Sequence, residues 1–265
     1  MLEYIDTHAH LTDDAFDGVK FDEDFFKSEG FKVSKCITVA YNLDSLRKVI
    51  DLANAYDNIY GEIGIHPDDA DDFCDEVVSI IKEASKSGKI VAIGEIGLDY
   101  YRKEGNLEEI KAKQKDVFVK QLKLAYEVGL PVVIHTRGAI KDTLDILKSN
   151  KDLLKYGCVV HCFSESLEIY KELEKMGIAI SVGGVLTFKN ARTLLDVVRY
   201  ADLSNIMIET DCPYLTPEPY RGQAKNSPIF ARFVAMKIAE LKGIEPKDVC
   251  KVTTENALRI FKKLN

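Results

Sequence analysis

Residues 3–10 read EYIDTHAH. A short aromatic and β-branched run leads straight into an H-x-H pair, His8 and His10. An open nucleotide-binding sheet would place a glycine-rich phosphate turn at the end of its first strand. Histidine is the commonest protein metal ligand, and residues i and i+2 of a strand project from one face, so both rings can meet one ion. The other histidines repeat the pattern: His66 in GEIGIHP, His135 in PVVIHTR and His161 in GCVVHCF each follow a strand-like run. The chain has 5 histidines, and all of them sit this way.

Outward from that stretch, short apolar runs alternate with longer amphipathic ones. Strands are predicted over residues 4–7, 35–40, 59–65, 90–94, 131–135, 158–161, 178–182 and 205–209. Helices are predicted over 43–56, 71–87, 107–128, 140–154, 165–176, 191–200, 228–242 and 256–264. Gly88, Gly129, Gly157, Gly177 and Gly243 each follow an amphipathic run, as helix C-terminal glycines do. Alternating β and α implies parallel strands covered by helices. Eight strands suit a closed ring, and no linker divides the chain. The expectation is an α/β fold, a (β/α)8 TIM barrel, as a single domain over residues 1–265.

Hydrophobic residues make up 46% and charged residues 30%, ordinary for a soluble globular chain. The net charge of −7 argues against sequence-independent coating of nucleic acid, which needs a basic surface. No apolar run is long enough to span a bilayer. The acidic start MLEYIDTHAH has no signal-peptide pattern. The 6 cysteines form no C-x-x-C pair, so reduced, packed thiols and a cytoplasmic location are expected. Cys162 and Cys212 adjoin candidate ligands, but strand neighbours point to opposite faces and packing is expected of both.

In such a barrel, functional groups gather at the C-terminal strand ends. Glu95 in VAIGEIGLDYY and Asp211 in IMIETDCPYL join the histidines there. The ligands on offer are too many for one tetrahedral ion, whereas two divalent ions bridged by a carboxylate would use them economically. Glu95 is the expected bridge. His8, His10, Glu95 and Asp211 would hold one ion, and Glu95, His135 and His161 the other. The imidazoles favour Zn2+ or Mn2+ over Mg2+. Counting along the strands places Asp6 below His8 and Glu209 below Asp211 on the inward face. There they would orient ligand imidazoles or pair inside the barrel. Glu62 is also inward by this count, with no role assigned.

Longer motifs then resemble those of the TatD family of metal-dependent deoxyribonucleases, within the amidohydrolase-like barrels. They are IDTHAHL (5–11), GIHP (64–67), GEIGLDYYR (94–102), PVVIHTR (131–137), HCFS (161–164), SVGGVLTFKNA (181–191), ETDCPYLTP (209–217) and TTENALRIF (253–261). The resemblance covers nearly the whole chain. It implies a two-metal phosphodiesterase that trims nucleic acid from the 3′ end, and it supports the same six ligands. It makes His66 a substrate-facing residue instead of a ligand, and gives the family's Arg-Gly…Asn-x-Pro segment a counterpart in Arg221, Gly222, Asn226 and Pro228. Two departures stand out. RGQAKNSP is one residue longer than the family form, and HCFSES carries Glu165 where a glycine is usual. Glu165 would repel an anion in the pocket, or serve as a first-turn acid of the next helix.

The expected mechanism is hydrolysis by a water activated between the two ions. Asp211 would hold the nucleophile and accept its proton, and His66 would contact the phosphate or protonate the leaving oxygen. Arg221, then Arg137 and Lys189, would fork onto phosphate oxygens. Tyr100 and Tyr101 would stack on a base or pack, and Arg102 and Lys225 read as solvated loop charges. Single-stranded or terminal DNA is the expected partner, with no membrane and no obligatory protein partner. The alternative keeps the metals and changes the bond: a D-aminoacyl-tRNA deacylase or another ester or amide hydrolase. A non-enzymatic metal-binding protein fits poorly with a complete ligand set.

Overall fold

A computed structural model describes residues 1–101 and 103–265; Arg102 lies outside the described residues. Eight strands run parallel in chain order: β1 (Leu2–Ala9), β3 (Phe31–Val39), β4 (Ile59–Ile63), β5 (Ile90–Asp99), β6 (Val132–Arg137), β7 (Cys158–Val160), β8 (Ala179–Val182) and β9 (Ile206–Ile208). The two-residue strand β2 (Lys27–Ser28) adds an antiparallel flap on β3. The ring meets itself just beyond β9. Ala9 pairs in parallel with Cys212, the Asp211 N–H donates to the His8 carbonyl at 2.9 Å, and the His10 N–H donates to the Cys212 carbonyl at 2.7 Å. The architecture is the expected (β/α)8 barrel.

Helices cover the outside: α1 (Leu43–Ala55), α2 (Asp75–Ala84), α3 (Leu107–Val128), α4 (Ile140–Ser149), α5 (Leu167–Lys175), α6 (Arg192–Tyr200), α7 (Ala231–Lys242) and α8 (Pro246–Ile260). Their limits follow local chemistry. Asn42 and Ser45 form a capping box at the start of α1. Gly129 and Gly243 end α3 and α7 in the left-handed conformation that lacks a steric cost only without a Cβ. Among the described residues no helix is long and apolar enough to cross a membrane.

Four departures from the sequence reading affect the site or its support. β5 runs on to Asp99 instead of stopping at residue 94, because Leu98 and Asp99 pair with Thr136 and Arg137 of β6. The helix expected over 71–87 begins at Asp75, after a 3-10 turn at Pro67–Asp72 that His66 caps. α5 begins at Leu167 behind an N-cap at Ser166, so Glu165 precedes the cap and is not a first-turn acid. The final helix, expected over 256–264, starts ten residues earlier at Pro246, whose fixed φ suits a first turn. Only its end, with the turn Lys262–Leu264, carries the apolar pattern that the sequence displayed.

That end has a structural task. The lower interior of the barrel is filled by Ile5, Ile37, Val91, Ala92, Val133, Val159, Ala179 and Met207. Ala257, Ile260, Phe261 and Leu264 pack onto this layer from below and close the N-terminal mouth. The Lys35 ammonium ties the plug in place by donating to the Leu264 carbonyl at 2.5 Å. The upper interior is polar, and there the strands deliver their functional groups.

Candidate metal centre

Glu95 stands at the middle of the polar layer, and its two oxygens face different partners. Oε1 lies 2.7 Å from His135 Nδ1 and 2.7 Å from His161 Nε2, and those nitrogens are 3.3 Å apart. Oε2 points to the other side, 3.6 Å from His8 Nε2 and 3.8 Å from His10 Nε2. Asp211 completes that second set, with Oδ1 3.2 Å from His10 Nε2 and 3.8 Å from His8 Nε2. Four ligands at about 2.1 Å from a tetrahedral ion stand about 3.4 Å from one another. The separations among His8, His10, Glu95 and Asp211 bracket that value.

Each of three imidazoles has a carboxylate behind it, on the nitrogen turned away from Glu95. Glu62 Oε1 lies 3.7 Å from His8 Nδ1, Asp99 Oδ2 lies 3.1 Å from His135 Nε2, and Glu209 Oε1 lies 3.8 Å from His161 Nδ1. Such carboxylates fix the ring and tautomer of ligating histidines. Both nitrogens of His8, Nδ1 of His10 and Nδ1 of His161 are buried without a hydrogen-bond partner among the described residues. Buried imidazole nitrogens with no partner, clustered around shared carboxylates, are the donor set of a cation site. The residues therefore fit divalent metal, with His8, His10 and Asp211 in one cluster, His8, Glu95 and His161 in a second, and His66, Asp99 and His135 in a third.

The electrostatics follow from this crowding. Burial works against charge on His8, but Glu62 and then Glu95 outweigh it and raise its pKa well above the usual value. Burial and the neighbouring His8 oppose charge on His161, yet Glu95 and Glu209 lift it to about 10. Glu95 is held well below the ordinary carboxylate range despite its burial, chiefly by His161, His66 and His135. His66 goes the other way: burial pushes it down to about 4, only partly offset by Glu95. Its Nδ1 accepts the Asp68 N–H at 3.1 Å, which leaves Nε2 as the protonated nitrogen, 3.9 Å from Glu95 Oε1.

Local sequence explains how these groups arrive. A Cβ on Gly94 would lie 2.3 Å from Glu62 Oε1, so glycine is what lets that carboxylate sit beneath the ring. At Gly97, with φ of +145°, a Cβ would lie 2.0 Å from the His135 carbonyl oxygen. The GEIG motif thus permits two close approaches on either side of Glu95. Asp211 itself adopts φ of +54°, a left-handed conformation that Asp tolerates better than most residues. The turn after β9 swings its carboxylate back over His8 and His10.

Asp6 departs from the strand count. Asp6 pairs with Cys36 and Ala9 with Thr38, so three residues of β1 span two of β3. The extra residue reverses the alternation, putting His8 inside and Asp6 on the face of Cys36. Asp6 accepts from the Thr210 N–H at 3.0 Å, the Thr210 hydroxyl at 2.6 Å and the His8 N–H at 3.3 Å, and touches no imidazole nitrogen. It binds β1 to the turn after β9, and Glu62 takes the place expected of it. Glu209 does face inward; it also accepts from the Ser181 hydroxyl and, at 2.6 Å, from the Cys162 N–H.

A cleft of about 610 Å³ opens over the centre, lined by His10, Tyr41, His66, Asp68, Asp69, Glu95, Asp99, His135, Thr136, Arg137, His161, Cys162, Ser164, Val185, Asp211, Tyr214 and Leu215. Three residues expected to bind substrate lie outside it. Tyr100 turns away to donate to Asp142 at 2.9 Å. Asn226 is buried and donates to the Thr210 and Tyr214 carbonyls at 2.8 and 2.6 Å, holding the Asp211 turn from behind. Arg221 stacks on Phe188, its guanidinium carbon 3.7 Å from the ring centre. Lys225, expected to be solvated, reaches the Ala15 carbonyl. Arg137 is in the cleft, held over Tyr101 at 4.0 Å. Cys162 lines the cleft as well, contrary to a pure packing role. Asp99 was missed because strand β5 was cut short; it lies at i+4 from Glu95, on the same face of an extended strand.

The model of TatD related DNase matches residues 5–262. The chain is 40% identical over 257 residues to an uncharacterized metal-dependent hydrolase, YabD, of Bacillus subtilis (strain 168), covering 97% of this chain and 98% of the relative. It is 37% identical over 259 residues to an uncharacterized metal-dependent hydrolase, YcfH, of Escherichia coli (strain K12), covering 97% and 95%. Among solved structures, the TatD homolog YjjV of Escherichia coli K12 superposes with a TM-score of 0.87 at 29% identity, covering 98% of each chain.

Proposed function

The chain belongs to the TatD-related DNase family, and from that premise we propose that it is a metal-dependent hydrolase that cleaves phosphodiester bonds at the 3′ ends of single-stranded or terminal DNA, with two divalent cations. The observation that carries the reading is the division of Glu95, whose two oxygens face two separate donor sets. His8, His10, Glu95 and Asp211 would hold one cation, and Glu95, His135 and His161 the other. Zn2+ or Mn2+ suits so many imidazoles better than Mg2+. When bound, such cations polarise the scissile group and lower the pKa of water at the centre.

The remaining work falls to the protein. Asp211, at the mouth of the centre, orients the attacking water and takes its proton on the carboxylate oxygen other than Oδ1, which faces the histidines. His66 presents Nε2–H to the scissile phosphate or its leaving oxygen, since the Asp68 N–H occupies Nδ1. Arg137 forks onto phosphate from the cleft wall, the part first expected of Arg221. Tyr41 and Tyr214 flank His10 at 6.0 and 5.8 Å between ring centres and give a terminal base an aromatic wall. The cleft lining has five carboxylates (Asp68, Asp69, Glu95, Asp99 and Asp211) against Arg137. That balance favours small or terminal substrates over long duplexes, and a second reading keeps the same cations and seats the terminal ester of a D-aminoacyl-tRNA where the phosphate would sit.

The test offers end-labelled single-stranded DNA and D-aminoacyl-tRNA to protein loaded with Zn2+, Mn2+ or Mg2+. Stepwise 3′ shortening is expected. Release of the amino acid from intact tRNA, with DNA untouched, would replace the nuclease reading by the deacylase one. A metal count near two per chain is expected, and a count of one would remove the two-cation scheme.

A further inference from the structure

Glu62 is the acid beneath the centre whose two oxygens both lack a hydrogen-bond partner among the described residues. Its side chain is fully buried. The other acids around the histidines are differently served. Asp99 accepts from the Tyr101 N–H at 2.8 Å, and Glu209 accepts from Ser181 and Cys162. For Glu62 the nearby donor is His8 Nδ1, at 3.7 Å. A buried carboxylate without donors is costly to desolvate, so a fold that keeps one needs a counter-charge close by. Gly94 opens the space it occupies, since a Cβ there would lie 2.3 Å from Oε1.

Tautomer chemistry connects this acid to the centre. His8 can offer a lone pair at Nε2 toward Glu95 and Asp211 only if Nδ1 carries the proton. A buried Nδ1–H requires an acceptor, and Glu62 is placed to be it. We propose that Glu62 is a positioning residue of the metal centre: its carboxylate accepts the Nδ1–H of His8, directs Nε2 to the cation, and supplies buried negative charge that the bound cation offsets. The proposal rests on the metal-dependent reading above.

Two properties then move in opposite directions. Removing Glu62 weakens cation binding, because His8 loses its orienting acceptor and the centre loses a charge. The same change stabilises the cation-free protein, because a buried carboxylate with no hydrogen-bond donor is gone. An acid kept only for structure would give the reverse: lower stability with unchanged cation affinity.

The experiment compares wild-type protein with Glu62→Gln and Glu62→Met, all stripped of metal and then titrated with Zn2+ against a chelating dye. A Gln carbonyl still accepts Nδ1–H, so E62Q isolates the charge, whereas E62M removes charge and acceptor together. Expected losses in Zn2+ affinity are about tenfold for E62Q and roughly a hundredfold for E62M. Thermal unfolding of the stripped proteins should place E62M above wild type. Wild-type Zn2+ affinity in both variants would overturn the proposal, as would E62M unfolding below wild type with its affinity intact. The wild-type stoichiometry is read separately. One ion per chain would remove the two-cation scheme and leave the Glu62 comparison standing, and no uptake at all would overturn both.

Discussion

Glu95 shows how much a single side chain can decide. Its carboxylate touches every donor set of the centre, so its loss should separate them. Glu95→Gln is expected to lower turnover by about 10³-fold, the several kcal/mol that cation polarisation supplies; steady-state kinetics on end-labelled DNA checks this, with circular dichroism to confirm the fold. Asn226 and Tyr100 make a contrasting pair. Asn226→Ala removes two buried hydrogen bonds from the back of the Asp211 turn and should cost roughly 2–4 kcal/mol in denaturant unfolding. Tyr100→Phe gives up one half-buried bond to Asp142, and KM should stay at the wild-type value. Both residues stand in motifs that resemble a binding site, and a sequence records that a residue is polar without recording which way it points.

At the scale of elements, the barrel was legible because apolar runs alternate regularly with amphipathic ones and six of the eight strands end at or near a candidate site residue. The eight runs around Tyr4, Cys36, Ile59, Ile90, Val132, Cys158, Ala179 and Ile206 all became strands. The H-x-H spacing predicts two rings at one place, and His8 and His10 both stand beside Asp211 Oδ1. What strand counting could not see was the extra residue in β1. Alternation holds only while the ladder is regular, and the shift between Asp6 and Ala9 breaks it just below His8. Asp99 was hidden by a related cause, since the glycines of GEIG look like the end of a strand and instead allow it to continue beside His135. Gly97→Ala tests that account. With φ of +145° and the His135 carbonyl 2.0 Å from a Cβ, the variant should lose at least about 2 kcal/mol of stability and release Zn2+ more readily; chemical denaturation and dye competition would both report it. α8 was legible only at its end, where Ala257 and Ile260 lead into Phe261 and the turn that carries Leu264. Its earlier turns bury Val249, Cys250, Thr253 and Asn256 at helical spacing, but the polar Thr253 and Asn256 break the apolar stripe that a sequence reading looks for.

For the molecule as a whole, charge and shape set the terms of access. The net charge is −7, and carboxylates dominate the cleft lining. A polyanion meets repulsion at this lining, where bound cations and Arg137 would supply the attraction. Metal-stripped protein should therefore lose oligonucleotide binding in fluorescence anisotropy, and with metal restored the affinity should fall only shallowly with salt, with a slope of about one or two phosphate contacts. The floor of the barrel matters as much as its rim. Phe261 and its neighbours seal the bottom, and Phe261→Ala should cost roughly 3–5 kcal/mol in thermal unfolding. A sealed floor makes the cleft a room with one door. Substrate and product would share the same opening, so on the proposed nuclease reading a strand would be released after each cut before the next end is taken. Digestion under limiting enzyme should accordingly be distributive, with the whole population of strands shortening together as a ladder while no strand is consumed ahead of the others.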